Sequence, residues 1–550
     1  MKKALLIGIN SKYVHTNLAI RYIREYCKSK NVNVEIYENS INNSLLSIIR
    51  DIFELNPEIA AFSVYIWNVE YIFKIIAELK KIAPQIKIYL GGPEVAYNAE
   101  EILKNNQHID GIFTGEGEQS FYEFMQYGAE KTRGIIYRNG DDIIKNKGDI
   151  FEISNIDCFP YSDSELKEKA KIFYYESSRG CPYSCSYCIS SIEKRVRYYD
   201  LEIVKKHLKK FIDFEVKLVK FIDRTFNLDK KRYMEIWSFL NENYTGKTSF
   251  HFEIAADIFD DDVIDFLNKL PNGYFQFEIG VQSSNIETLK AINRKTNLEK
   301  IKENLKKLKK NIHLHLDLIA GLPYENYEIF KNSFNFVYNI NPVMIQLGFL
   351  KILKGTKLAE EAKSGYSFTD FPPYEVIKTP YIKFEEIVKL KDIEEILDLY
   401  YNSGKFKNSL PHIIKNNFAT PFEFYDNLRV FWYKMGFHKI AHKPVSLFEY
   451  LHQFFLEGDY KEYELFIEKL KFDYLLLGKP GYYPEWFKKN SCREKYKKAV
   501  ENSKYFKSEK DGYKNSEFEI FYLYFKTPKA VLFIYNSDEK EKIEVLDLNE

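Results

Sequence analysis

Over its first 350 residues the chain alternates short apolar, β-rich runs with segments of helical periodicity, and this constrains the fold more than any other feature. Strand–helix repeats bury their apolar faces as parallel sheets covered by helices. In residues 1–150 the runs stand at 4–9, 34–37, 59–65, 86–90 and 111–114, with helical patterns at 18–27 and 69–82. This predicts a doubly wound, Rossmann-like α/β domain, whose ligands bind beyond the carboxyl ends of its strands. A second series has runs at 173–177, 218–222, 250–255, 275–280, 314–319 and 345–350. Six such units predict a complete or partial TIM-type barrel with its site on the same kind of rim. Residues 151–170 (FEISNIDCFPYSDSELKEKA) between the two series read as a linker, so the barrel takes 171–366. Residues 367–550 read as a mostly helical domain, with helical patterns over 385–475 and strand-like runs (FEIFYLYF, AVLFIYN) in the tail.

A chain of 550 residues is too long for one core, which fits this division. Its formal net charge of +1 leaves no global field to hold nucleic acid, so no nucleic-acid partner is expected. The basic run at 300–310 reads as the solvated face of an amphipathic helix. The start MKKALLIGIN is too short and too soon interrupted, by Asn10, for a signal peptide. No run approaches the ~20 apolar residues of a membrane span, so a cytoplasmic protein without a membrane partner is expected. Thiols stay reduced there, and six cysteines are not a disulfide framework.

Three of the six are clustered in SSRGCPYSCSYC, where Cys181, Cys185 and Cys188 have the spacing C-x3-C-x2-C. Thiolates this close can share one iron–sulfur cubane. A [4Fe–4S] cubane usually takes four cysteines, and Cys27, Cys158 and Cys492 are too remote in sequence for a local fourth ligand, although folding could bring one near. Three ligands leave one iron open, as catalytic metal sites leave a position open. The competing readings are three unrelated thiols and a structural zinc site of the Cys3His type, although His207 is not at knuckle spacing.

The spacing, with the aromatic Tyr187 before the third cysteine, resembles the radical SAM superfamily over about residues 170–355. The resemblance implies a partial barrel whose open iron chelates S-adenosylmethionine (SAM). An electron from the cluster then splits SAM into methionine and a 5′-deoxyadenosyl radical, which takes a hydrogen from substrate. It implies a SAM site built from Tyr187, Asp223, Glu278, Gln282, Ser283, Arg294, Asp317 and Gly321. Ser283 and its neighbours would meet the ribose. Arg294 would meet the SAM carboxylate, which a fork of donors matches. An electron donor such as flavodoxin or ferredoxin is implied as partner.

Three loops follow amino-terminal strands and should share one rim: SVYIWN with Ser63 and Tyr65, LGGPEV with Gly91 and Gly92, and TGEGE with Gly115, Glu116 and Gly117. The glycines let backbone approach a ligand. The acidic residues argue against phosphate and leave a neutral, amide-rich ligand open. Together with the cysteine loop, residues 1–150 resemble the cobalamin-binding domain of B12-type radical SAM proteins. SKYVHTNLAIRYIREY is similar to the start of a branch with a carboxyl-terminal extension of unknown function. The cobalt-ligating motif DxHxxG is absent, and His15 is not in that context. Cobalt without a protein ligand below would favour methyl transfer; the alternative is a domain that has lost cobalamin and shapes the substrate pocket.

The favoured function is cobalamin-dependent radical methyl transfer to a small-molecule or peptide substrate, or its rearrangement. A tRNA methylthiotransferase would need three amino-terminal cysteines, and only Cys27 lies in residues 1–150. A non-catalytic iron–sulfur or zinc sensor is the alternative from another class. The aromatic run at 472–487 reads as core packing, and Cys492 as a buried, inert thiol.

Overall fold

The computed structural model describes residues 3–362, 364–490, 493–503, 505, 512–535 and 542–547, so Cys492 lies outside the described residues. The chain forms two compact units. One is Met1–Asn326 with Gly348–Lys383, the other Tyr327–Leu347 with Phe384–Glu550.

The first unit opens with a seven-stranded sheet in the order 2-1-3-4-5-6-7. Ala4–Asn10, Glu35–Ser40, Ile59–Ser63, Lys87–Gly91 and Gly111–Phe113 are its parallel strands. Side chains alternate between the faces, as a two-residue period requires. Leu5, Ile7, Ala60 and Phe62 enter one core cluster, while Leu6, Ala61 and Phe113 enter another with the helix Leu18–Ser29. The order reverses between the first and third strands, where open α/β sheets place their ligands. Two further strands, Ile135–Asn139 and Asp142–Asn146, extend the sheet antiparallel and were not anticipated. Their signal was present: Asn139-Gly140 sits between two apolar runs, and Gly140 takes φ +60° at the first position of a two-residue loop.

Residues 151–170 are packed rather than loose. Phe151, Ile153, Tyr161 and Leu166 are buried. Ser162 and Glu165 form a reciprocal capping box, and Glu165 also binds Arg21 and Arg24 of the first helix.

The barrel strands Phe173–Tyr175, Leu218–Phe221, Ser249–Glu253, Phe275–Gln282 and His313–Ala320 run parallel, each beside the next. The sixth, Met344–Phe349, also forms; along it the chain passes from the second unit back to the first. Outward positions are apolar: Phe252, Phe275 and Phe277 ring Trp237, which is fully buried. The alternate positions are polar. Lys220 and His251 both bind Glu278 at 3.1 Å, so the sheet carries charge on the face away from its helices.

The second unit is mostly helical, with Tyr327–Tyr338, Phe384–Leu397, Pro421–Lys434, Pro444–Glu457 and Tyr463–Leu475 among its helices. Phe472, Tyr474, Trp486 and Phe487 are buried within it, in line with core packing. Its tail is a three-stranded antiparallel sheet of Ser516–Phe521, Lys529–Ile534 and Lys542–Asp547, one strand more than expected. Among the described residues no helix is long and apolar enough to cross a membrane.

Candidate functional site

The cysteine loop begins where the first barrel strand ends. Ser178–Arg179 pairs antiparallel with Arg197–Tyr198, closing the base of the loop. Gly180 takes φ +93°, and a Cβ there would lie 2.2 Å from the Arg195 carbonyl oxygen, so only glycine fits. The Cys181 N–H donates to the Glu193 carbonyl at 3.0 Å and the Cys188 N–H to that of Cys185 at 3.1 Å. Held in this way, Cys181, Cys185 and Cys188 line one cavity of about 260 Å³. Burial pushes the Cys185 thiol up, while the Arg294 guanidinium, 3.8 Å from its sulfur, opposes that shift. Among the described residues no three His, Cys, Asp or Glu side chains converge as a single metal ion requires. A cubane makes no such demand, since each thiolate takes a separate iron.

Five more of the anticipated residues line this cavity: Tyr187, Glu278, Gln282, Arg294 and Asp317. Arg294 donates from Nη2 to the Gly280 carbonyl at 2.5 Å, and its buried Nε has no hydrogen-bond partner. The fourth barrel strand shifts register between Gly280 and Gln282. That bulge, with Gln282 at φ +69°, turns its side chain into the cavity, where the buried Oε1 accepts nothing. Burial would raise the Glu278 carboxyl, but the His251 hydrogen bond and the Lys220 ammonium hold it down at about 2. Burial pushes Glu253 up to about 7 and Asp317 well above the usual carboxylate range. A carboxyl kept neutral donates as well as accepts, which suits hydroxyl groups and ring nitrogens. Glu253, Asp257, Arg224 and Thr225 also line the cavity and were not anticipated. The run FEIAAD carried the signal for Glu253 and Asp257, since one ends a strand and the other follows it onto the same rim.

Asp223, Ser283 and Gly321 stand outside the lining. The Ser283 hydroxyl donates to Glu325 at 2.6 Å, and Gly321 makes a turn at φ +89°. Asp223 is fully buried and accepts from the Ser177 N–H and from the Ser177 and Ser178 hydroxyls, at 2.9, 2.7 and 2.6 Å. It ties the second barrel strand to the start of the cysteine loop. Burial raises its carboxyl to about 6 although these donors pull it down. Over the interval from about 4 to about 6 the folded chain keeps a proton that the unfolded chain has released, so this group's contribution to stability falls as pH rises. Melting curves of the wild type and Asp223→Asn from pH 4 to pH 7 should therefore diverge in the variant's favour, by about 3 kcal/mol. Parallel curves would contradict the assignment.

All seven residues anticipated on the amino-terminal loops (Ser63, Tyr65, Gly91, Gly92, Gly115, Glu116 and Gly117) line a second cavity, of about 300 Å³. It lies at the carboxyl ends of the parallel strands, against the helix Leu18–Ser29. Asn68 fixes the first loop: its Nδ2 donates to the Ile9 and Ser63 carbonyls, and its Oδ1 accepts from the Tyr65 N–H. Tyr65 stacks on Trp67, with ring centroids 4.4 Å apart. Gly92 must be glycine, because at φ +119° a Cβ would lie 2.3 Å from the Val64 carbonyl oxygen. At Gly115 a Cβ would meet nothing within 4 Å, so this part of the loop leaves room for a ligand's bulk. The lining contains no histidine, and His15 is engaged elsewhere, with Nδ1 2.8 Å from the Tyr174 hydroxyl. The cavity therefore fits a bulky ligand approached by backbone and apolar side chains, with no imidazole offered to a metal.

The B12 binding domain family matches residues 4–125 and the radical SAM superfamily matches residues 175–337. Residues 362–540 match a family described as a protein of unknown function, DUF4080. The cobalamin-dependent radical SAM methyltransferase TokK of Streptomyces tokunonensis is 23% identical over 372 residues, covering 60% of this chain and 52% of that protein. The 2-(S-pantetheinyl)-carbapenam-3-carboxylate methyltransferase of Streptantibioticus cattleyicolor is 24% identical over 314 residues, covering 50% of this chain and 44% of that protein. The chain thus spans about half the length of these curated relatives. Among solved structures, the fold is similar to the radical SAM methyltransferase TsrM of Kitasatospora setae, with cobalamin and a [4Fe–4S] cluster bound. That likeness has TM-score 0.56 at 14% identity and covers 69% of this chain and 79% of that one. The cobalamin-dependent radical enzyme OxsB gives TM-score 0.59 at 15% identity, covering 86% and 79%.

Proposed function

We propose that this chain, a member of the cobalamin-binding branch of the radical SAM superfamily, transfers a methyl group to a poorly activated carbon of a small-molecule or peptide substrate. One observation carries the reading. A single compact unit holds a cavity lined by three thiols and a buried arginine, and a second cavity lined by glycine-rich loops with no histidine. Both border the end of the second barrel strand, where Ile222 lines the second cavity and Arg224 and Thr225 line the first.

In this reading Cys181, Cys185 and Cys188 hold a [4Fe–4S] cluster with one iron open, and the loops at Ser63–Tyr65, Gly91–Gly92 and Gly115–Gly117 cradle cobalamin. When bound, the cluster supplies the electron that cleaves SAM, and cobalamin supplies the methyl group. The chain's own residues orient and exclude water. Arg294, whose buried Nε has no hydrogen-bond partner, grips the SAM carboxylate. The unsatisfied Gln282 oxygen and the carboxyls of Glu253 and Asp317, both raised by burial, meet hydroxyl and amine groups of SAM. Leu6, Ala61 and Phe113 form the dry wall behind the second site. The electron comes from a donor protein such as flavodoxin or ferredoxin.

Methylthiolation is not favoured. It asks for a second cluster, and Cys27, alone in residues 1–150, is buried with its thiol pushed up to about 12 by burial. The test is anaerobic incubation of the reconstituted full chain with SAM and reductant. Release of 5′-deoxyadenosine is expected, with S-adenosylhomocysteine formed only when hydroxocobalamin is supplied. Deoxyadenosine without S-adenosylhomocysteine would replace methyl transfer by rearrangement, and neither product would overturn the reading.

A further inference from the structure

The mechanism above leaves one charged cluster unused. Arg179 lies two residues ahead of Cys181, and its side chain, 13% exposed, borders the second cavity. Its guanidinium meets three carboxylates: Nη1 is 3.2 Å from Glu116, Nη2 2.5 Å from Glu118, and Nη2 and Nε are 2.6 and 2.9 Å from Glu176. Glu118 and Glu176 are 5% and 9% exposed. Arg197, opposite Arg179 at the base of the cysteine loop, donates twice more to Glu116, at 2.8 and 2.9 Å. Two guanidiniums from the cluster loop thus face two carboxylates that bracket Gly117 on the cobalamin-side loop, with Glu176 completing the set.

Charges this buried hold their places only while all partners are present, because removing one leaves another uncompensated. The spacer between Arg179 and Cys181 is Gly180, whose backbone is fixed against Arg195. Any displacement of Cys181 is therefore passed to Arg179, and from there to Glu116 and Glu118. The rim of one cavity hangs from the base of the loop that lines the other.

We infer that Arg179 is a positioning residue that couples the two cofactor sites, so that the TGEGE loop takes its receiving shape fully only when the cysteine loop is closed around its cluster. The inference rests on the cobalamin reading. Coupling through such a network is reciprocal, typically about 5- to 150-fold in affinity. Lysine in place of Arg179 keeps the charge but lacks the fork that reaches three carboxylates at once.

The test measures the dissociation constant of hydroxocobalamin for the full chain in two forms: cluster-reconstituted, and stripped of iron by anaerobic chelation. The wild type should bind at least about fivefold more tightly with the cluster present. In Arg179→Lys, and independently in Glu118→Gln, that ratio should fall toward one, with melting temperatures confirming that both variants fold. A purely structural arginine would weaken both forms equally and leave the ratio unchanged, which would overturn the inference. So would a wild-type ratio of one. If the wild type takes up no hydroxocobalamin in either form, the cobalamin reading falls and this inference with it.

Discussion

Replacing Cys181, Cys185 and Cys188 together by alanine should reduce bound iron and sulfide to background and cut 5′-deoxyadenosine formation by more than about 10²-fold. Loss of residues that merely orient a metal ligand already costs about 10–100-fold, and these are the ligands themselves. Single replacements should do nearly as much, because an open iron is useful only while the other three are held. Cys158 makes the matched control. It is half-buried, its thiol is pushed up to about 12 by burial, and it lies outside the cavity lining, so Cys158→Ala should leave iron content unchanged. Retention of the full cluster by the triple variant would remove the site from the cysteine loop altogether.

The second large effect is expected at Arg294. Truncating one partner of a buried, hydrogen-bonded charge pair costs about 2–5 kcal/mol. For Arg294→Ala this corresponds to SAM binding weaker by roughly 30- to 4,000-fold, measured by equilibrium dialysis against reconstituted protein. Two local effects add to the loss: the Gly280 carbonyl loses its donor, and Cys185 loses the neighbouring cation. Arg294→Lys should recover part of the affinity, since an ammonium supplies charge without the fork. A dissociation constant within about threefold of wild type in the alanine variant would show that the carboxylate is gripped elsewhere.

Much of this was legible in the sequence because both sheets obey simple periods. Apolar runs ending in Gly or a small polar residue marked the parallel strands, and the close spacing of three cysteines marked the loop. The seven residues on the amino-terminal loops line one cavity because their strands are parallel, so the loops share a rim without further help. Where the reading stopped, long-range register decides. Asp223 stands near the carboxyl end of its strand as Gln282 does, yet Ser177 and Ser178 capture it, while the bulge at Gly280 turns Gln282 into the cavity. Ser283 is one residue beyond that bulge and is drawn to Glu325 instead. The hairpin at 135–146 does have a local signal, the Gly140-Asp141 loop between two apolar runs. Arg224 was invisible for a different reason. A charged residue at a strand end looks the same in sequence whether it meets solvent or faces an opposite strand across a cavity.

The central claim is that three thiols leave one iron free for SAM. Electron paramagnetic resonance of the reduced, reconstituted chain, recorded before and after addition of SAM, tests it most directly. The claim predicts a [4Fe–4S]⁺ signal whose g-values shift when SAM binds, and no shift in Arg294→Ala at the same SAM concentration. A signal indifferent to saturating SAM in the wild type would mean a fully ligated cluster, and would contradict it.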